Sequence, residues 1–358
     1  MKITINSRFF PFSHRAGTHV LIPKTKIVVE VYPSRVNFYS SDSIDVYNMD
    51  IQTGGYIHGF TVVQDLERQV VRVFGISING YISYELKFLE EYIVMNLLRS
   101  RMPLSITFQE RKHTIFPKRK LDLFRVREIT TCSLPRLTFG IHKSQNIDHI
   151  AIRKDLREIL PFLYRIGKLY PKHSSPMQAG TTRELVQKIR DNIEARDKIG
   201  TTAAFRDFFA IAIRDLFVPQ LFDYRLQGLF PPPEISKLYY DTSLLSIVSQ
   251  LIENLFLQEE GNSITLLPLL LPILHAGRLL TFNSPDNSYT LDMEWRSHKL
   301  RKVIFRAHDA RRYHFLLPKP FRSFRLRSSK ADPGIVYDSG DLISVDKNTT
   351  YFFDRFQI

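Results

Sequence analysis

The hydrophobic period changes twice along this chain of 358 residues. Up to about residue 140, short runs rich in Val, Ile, Tyr and Phe alternate with turn residues. The runs are 2–10, 25–32, 70–78, 81–87, 92–98 and 105–109. They carry the β-branched and aromatic side chains that pack on a pleated surface. Gly54-Gly55, Asn79-Gly80 and Met102-Pro103 separate them. Asn79-Gly80 is the strongest hairpin signal, because both residue types accept positive φ. From Ile150 to Leu257 apolar residues recur at helical spacing, and from Tyr289 they alternate again at Leu291, Met293, Trp295, Val303 and Phe305. This pattern predicts an α+β fold. An N-terminal antiparallel β-sandwich is expected over 1–140, a small central helical domain over 141–262, and a linker with a C-terminal β-sandwich over 263–358.

Within the helical part, Ile152, Leu156, Ile159, Leu160, Leu163, Ile166 and Leu169 form one stripe. Pro161 inside that stripe predicts a kink or a restart. Thr182 is expected to cap a helix carrying Leu185, Ile189 and Ile193, and Thr202 to open the next. The second of these aligns Phe205, Phe208, Phe209, Ala212, Ile213 and Leu216 before Pro219 ends it. Phe230-Pro231-Pro232-Pro233 is a stiff extended break. A last helix over 241–257 should bury Leu244, Val248, Leu251, Ile252 and Leu255. Ser297-His298-Lys299 is expected as a hairpin turn, followed by strands at 315–317, 323–326, 342–345 and 350–353.

A single cysteine, Cys132, excludes an internal disulfide and a thiolate zinc cluster, and a buried structural role in a reducing compartment is expected for it. The opening residues, MKITINSRFFPFSHRAG, lack the apolar core of a cleavable signal peptide. The apolar run 264–274 is interrupted by Thr265, Pro268 and Pro272 and is too short to span a bilayer. A cytoplasmic protein is the expectation, with export by another route left open.

Net charge is +14, and it is concentrated. Residues 296–330 hold twelve Lys/Arg and one acid, Asp309, while 99–127 hold nine Lys/Arg against Glu110 and Asp122. Such stretches fit a polyanion, either nucleic acid or a membrane surface, or a protein partner. The alternative is a solvated sandwich face. Contacts are expected at Arg296, Arg301, Lys302, Arg311, Arg312, Arg325 and Arg327.

The stretch Ile264-Thr265-Leu266-Leu267-Pro268-Leu269 resembles the "I-x-LLPAL" segment that leaves the helical toroid of inverting α-L-fucosidase-type glycoside hydrolases. Their following strand, roughly "V-D-M-x-W-x-x-G-K-L", is similar to Leu291-Asp292-Met293-Glu294-Trp295-Arg296-Ser297-His298-Lys299-Leu300. Upstream, Phe230-Pro231-Pro232 and Asp241 resemble the family's "PPF" element and the aspartate of its "DGNFG" turn. The resemblance covers 230–305. It implies a carbohydrate ligand, and it implies that Asp241 would be the general base that activates water in inverting hydrolysis. Glu234 is the candidate second carboxylate, with a helix-entry charge as the alternative.

Several features depart from the family. Thr242-Ser243-Leu244 follows Asp241 in place of Gly-Asn-Phe. A toroid of twelve helices needs on the order of 190 residues, whereas 141–262 offers about 120. The expectation is therefore a shortened glycoside-hydrolase-like protein with little or no catalysis. Any surviving activity would be that of an inverting glycosidase. The other reading is a basic binding or scaffold protein that uses its sandwich surfaces.

No Walker loop, G-x-G-x-x-G, H-E-x-x-H or G-x-S-x-G occurs, and no cofactor or metal is expected. His308 and His314 near Asp309 are too sparse a set for a metal site. Trp295 is expected in the core rather than as a sugar platform. The polar run 139–148 suits either a ligand rim or an interdomain linker, and the linker is favoured.

Overall fold

The computed structural model describes residues 2–40, 46–126, 135–171, 180–213, 217, 242–329 and 331–358. Cys132, Leu216, Pro219, residues 230–233, Glu234 and Asp241 lie outside the described residues.

The first part is an antiparallel β-sandwich, as the alternation predicts. Its strands are β1 (Phe12–Ser13), β2 (Thr18–Leu21), β3 (Ile27–Val31), β4 (Arg35–Ser40), β5 (Val46–Ile51) and β6 (His58–Asp65). They continue with β7 (Val70–Ser77), β8 (Gly80–Leu89), β9 (Tyr92–Arg99), β10 (Leu104–Phe108), β11 (Arg111–Ile115) and β12 (Lys120–Arg125). One sheet runs β1-β6-β7-β8-β9-β12 and the other β11-β10-β5-β4-β3-β2. Phe38 and Phe108 of the second sheet meet Phe124 of the first at ring separations of 5.4 and 6.2 Å, which closes the core between them.

Ser77 pairs with Gly80, so the β7–β8 turn is Ile78-Asn79, one residue earlier than expected. Only Gly80 takes the positive φ, at 102°. The run 2–10 is a correction of a different kind. Ile3 and Ile5 are buried while Lys2 and Thr4 are exposed, so the alternation is real, yet the segment joins no sheet. Arginine and lysine side chains take several of its carbonyls instead: Arg136 Nη2 donates to Ser7 O at 2.6 Å, Arg278 Nη1 to Thr4 O and Lys302 Nζ to Lys2 O. A half-buried extended chain needs hydrogen-bond partners, and side chains satisfy that need as well as a ladder does.

The helical layer comprises α1 (Ile147–Arg153), α2 (Leu156–Lys168), α3 (Thr181–Glu194), α4 (Lys198–Phe208), which passes into a π turn (Phe209–Ile213), and α5 (Ser243–Asn254). The break falls at Lys154, not at Pro161. Lys154 takes φ 48° and its N–H closes on Ile150 O, and Asp155 then caps α2 by accepting from Arg157 N. Pro161 lies buried inside α2, where tertiary packing offsets the bond it cannot make. Neither Thr182 nor Thr202 is a cap. Gly180 precedes α3, Thr182 is fully buried, and the Asp197 carboxylate starts α4 by accepting from Ile199 N and Gly200 N. Phe205, Phe208, Phe209, Ala212 and Ile213 are buried together as expected, as are Leu244, Val248, Leu251, Ile252 and Leu255.

The C-terminal β-sandwich also closes on an aromatic core. Its strands are β13 (Arg136–Thr138), β14 (Leu257–Glu260), β15 (Ser263–Leu266), β16 (Ala276–Asn283), β17 (Tyr289–Arg296) and β18 (Lys299–Ala307). The rest are β19 (Arg311–Leu316), β20 (Ser323–Arg327), β21 (Ile335–Asp338), β22 (Leu342–Val345) and β23 (Thr350–Gln357). The sheets run β13-β16-β17-β18-β23-β20-β21 and β14-β15-β19-β22, with β15 parallel to β19. Phe305 meets Tyr313 and Phe315 across the sandwich at 5.4 and 5.2 Å. Ser297 and His298 form the β17–β18 turn, both with positive φ (53° and 58°). Trp295 is buried, stacked on Phe256 at 5.1 Å, and its Nε1 donates to Leu274 O at 2.9 Å. It is a core residue and offers no face to a sugar.

Candidate functional site

Four of the loops that leave the first sandwich lie together at one end. Ile51 of β5 pairs with Ile106 of β10, Leu104 of β10 with Ile115 of β11, and Lys120 of β12 with Asn96 of β9. These registers bring together the β5–β6, β9–β10 and β11–β12 loops and the β7–β8 turn. An ideal Cβ on Gly54 would lie 3.2 Å from Ile78 Cγ2, and one on Gly80 3.7 Å from Arg101 Cβ.

Each loop is held by its own short-range bonds. Thr53 Oγ1 donates to Gly55 O, Ser77 Oγ to Gly80 O, and Ser100 Oγ to Met102 O. Arg119 N donates to Phe116 O around Pro117-Lys118, with Lys118 at φ 67°, which is the type II turn that Pro at its second position favours. Lys118 N also donates to Leu97 O, and Leu97 N to Arg119 O.

These turns present apolar side chains to solvent. Ile78 is 81% exposed, Tyr56 78%, Phe116 57% and Met102 56%. Behind them Ile76 and Tyr81 pair across β7–β8 and are also exposed, with the Tyr81 ring 6.2 Å from Phe74. Arg99, Arg101, Lys118 and Arg119 stand exposed among these tips, and none forms an ion pair among the described residues. Segments 52–58, 77–81, 99–104 and 116–120 contain no Asp or Glu. The result is an uncompensated positive field beside an apolar surface.

The C-terminal basic residues are placed differently. Arg325 and Arg327 both bind Asp354, Arg325 through a two-pronged contact at 2.8 and 3.1 Å. Burial would raise the Asp354 pKa, but the two guanidiniums outweigh it and hold the carboxyl below its ordinary value. Arg311 Nη1 meets Asp286 Oδ2 at 2.5 Å, and Lys302 stands across from Glu294. Arg296 and Arg301 flank the β17–β18 turn and Arg312 lies on β19, all exposed and without an ion pair among the described residues. The seven expected contacts are thus divided between two sheets and a hairpin.

The run 139–148 acts as a joint. The Gln145 side chain accepts from Phe10 N at 2.8 Å and donates to Arg8 O at 2.7 Å, and Asn146 caps α1. Beside it Lys143 and Arg157 both reach Asp155. Burial opposes the Asp155 charge, but bonds from Arg157 and Lys143 prevail and lower its pKa to about 2. A cleft of about 30 Å³ opens here between Phe9, Pro11, Ile141, Lys143, Arg157 and Phe162. That holds a water-sized body, about tenfold short of a small-molecule pocket.

One cluster was not legible in the sequence. Glu30 on β3 accepts from Tyr32 OH at 2.7 Å, from Asn37 Nδ2 and Tyr39 OH at 2.8 Å each, and lies 3.4 Å from His19 Nε2. Burial raises its pKa, yet the four partners together pull it down to about 2. Burial and the Glu30 charge push Tyr39 up to about 12.

Several other titratable groups are committed to partners. Burial raises the Glu259 carboxyl, which meets Tyr289 OH, and Ser288 holds Asp286 low. His308 Nε2 pairs with Thr290 Oγ1 and His314 Nδ1 with Gly340 O, and no metal-binding group of His, Cys, Asp or Glu occurs among the described residues. No protein-family model matches this chain, and comparison with curated proteins finds no match.

Proposed function

We propose that the chain is a binding protein that contacts an anionic partner through the four-loop end of its first sandwich. The observation that carries this reading is the set of four exposed cations, Arg99, Arg101, Lys118 and Arg119, in loops free of Asp and Glu. A field of this kind attracts polyanions and gives a salt-dependent affinity. The competing reading, a glycoside-hydrolase-like protein, rests on the sequence resemblance over 230–305. It predicts turnover or binding in a glycoside screen that Asp241→Asn abolishes.

Retention on heparin resin separates the two basic regions. The triple change Arg99→Glu/Arg101→Glu/Arg119→Glu is compared with Arg296→Glu/Arg301→Glu/Arg312→Glu, which alters net charge equally. The loop triple should elute at clearly lower salt than the C-terminal triple. Equal elution, or the reverse order, refutes the assignment.

A further inference from the structure

The charge at the four-loop end does not account for its most exposed side chains. Ile78, Tyr56, Phe116 and Met102 sit at the tips, and a partner recognised by charge alone has no use for them. Leaving them in water has a cost that burial would recover. Ile78 and Met102 offer no aromatic face, so stacking on bases does not explain them either.

What accommodates an apolar tip ringed by cations is a bilayer surface. Aliphatic and aromatic side chains enter the boundary between headgroups and acyl chains, and Arg and Lys remain at headgroup level facing phosphates and carboxylates. The cations are suitably set for this. Arg99 ends the strand β9, Arg101 lies behind the Ile78 turn, and Lys118 and Arg119 follow Phe116. The loops carry no carboxylate that anionic headgroups would repel. Their internal hydrogen bonds hold the tips in place before contact, so little ordering is needed on binding.

We infer that this end of the sandwich docks on a lipid surface bearing anionic headgroups, with Tyr56, Ile78, Met102 and Phe116 entering the interface and Arg99, Arg101, Lys118 and Arg119 binding the headgroups. The inference rests on the anionic-partner reading above and names the partner's class.

The test is co-sedimentation of the full chain with phosphatidylcholine vesicles, with and without phosphatidylserine, alongside heparin retention and binding of a single-stranded oligonucleotide. Ile78→Ser/Met102→Ser removes two tips without changing net charge, and both residues are exposed enough for the fold to tolerate it. The wild type should partition onto phosphatidylserine vesicles. The double variant should lose about tenfold per side chain while keeping its heparin retention. Wild-type partition with no loss in the variant overturns the inference. Heparin retention without vesicle partition overturns it too, and leaves the anionic-partner reading intact. If the oligonucleotide alone binds, unaffected by the double change, the partner is nucleic acid and the lipid assignment fails. Loss of every binding signal removes both readings.

Discussion

Glu30 allows a quantitative test of the first sandwich. Glu30→Gln keeps the shape and removes the charge that Tyr32, Asn37 and Tyr39 bond to. The carboxyl lies at about 2 in the folded chain against an ordinary value of 4.5. That difference corresponds to at most about 3 kcal/mol of stabilisation. Glu30 keeps some contact with solvent, and screening reduces the figure to about 1–2 kcal/mol. Because the folded pKa is the lower one, this stability is fully present above 4.5 and is lost as pH falls from 4.5 towards 2. Urea unfolding followed by far-ultraviolet circular dichroism should therefore show Glu30→Gln less stable than the wild type near neutral pH. The gap should shrink as the solution is acidified below about pH 4. Hydrogen exchange at Val29 and Val31 would localise the loss to β3. A gap that stays constant with pH would mean that the variant disturbs packing rather than charge. No gap at neutral pH would mean that the hydrogen bonds only repay the desolvation of the carboxylate.

Three further changes probe the packing. Gly167→Ala would put a Cβ 2.2 Å from Leu245 O, so it should destabilise the α2–α5 contact by about 1–3 kcal/mol despite the better helix propensity of alanine. A stability gain in thermal unfolding would show that the two helices are less closely apposed. Gly277→Ala would place a Cβ 2.3 Å from Trp295 Cζ2. Since Trp295 is the sole tryptophan, its fluorescence should shift as the ring leaves Phe256, and unchanged emission would contradict the packing. Tyr84 is buried in the first sandwich with no hydroxyl partner among the described residues, and burial raises its pKa. Tyr84→Phe should be neutral or up to about 1 kcal/mol stabilising, and a clear loss in urea unfolding would show that the hydroxyl is satisfied.

The α+β architecture was legible because alternation in a strand depends only on neighbours along the chain. Met293 and Trp295 read inward before any fold is known, and they are buried. What the sequence could not show is where each segment sends its hydrogen bonds. Residues 2–10 alternate like a strand, yet Arg136, Arg278 and Lys302 take several of their carbonyls from more than a hundred residues away. Caps failed for a local reason: Thr182 and Thr202 have the right chemistry, but Gly180 and Asp197 start the helices, and Asp197 does so with a charged acceptor. The Glu30 cluster needs His19, Glu30 and Asn37 to lie side by side on β2, β3 and β4, which is a property of register.

Register also explains why a count of cations along the chain overstates the charge that 296–330 leaves unpaired. Residues 296–330 carry more Lys/Arg than 99–127, but three of their strand cations are reached by acids on neighbouring strands. Arg306 meets Asp292 of β17, and Arg325 and Arg327 share Asp354 of β23. Asp292 and Asp354 fall outside the counted window, so the count overstates the field. In the first sandwich Arg125 pairs with Glu91 of the β8–β9 turn and Lys120 with Asp122 of its own strand. Cations in loop turns have no cross-strand neighbour to neutralise them. Arg101, Lys118 and Arg119 therefore keep their charge available, and so does Arg99 at the last position of β9. These four cations sit where strands end. There, too, the turn residues Ile78, Met102 and Phe116 cannot fold back into the sandwich, so positive charge and exposed apolar surface coincide at that end for one topological reason.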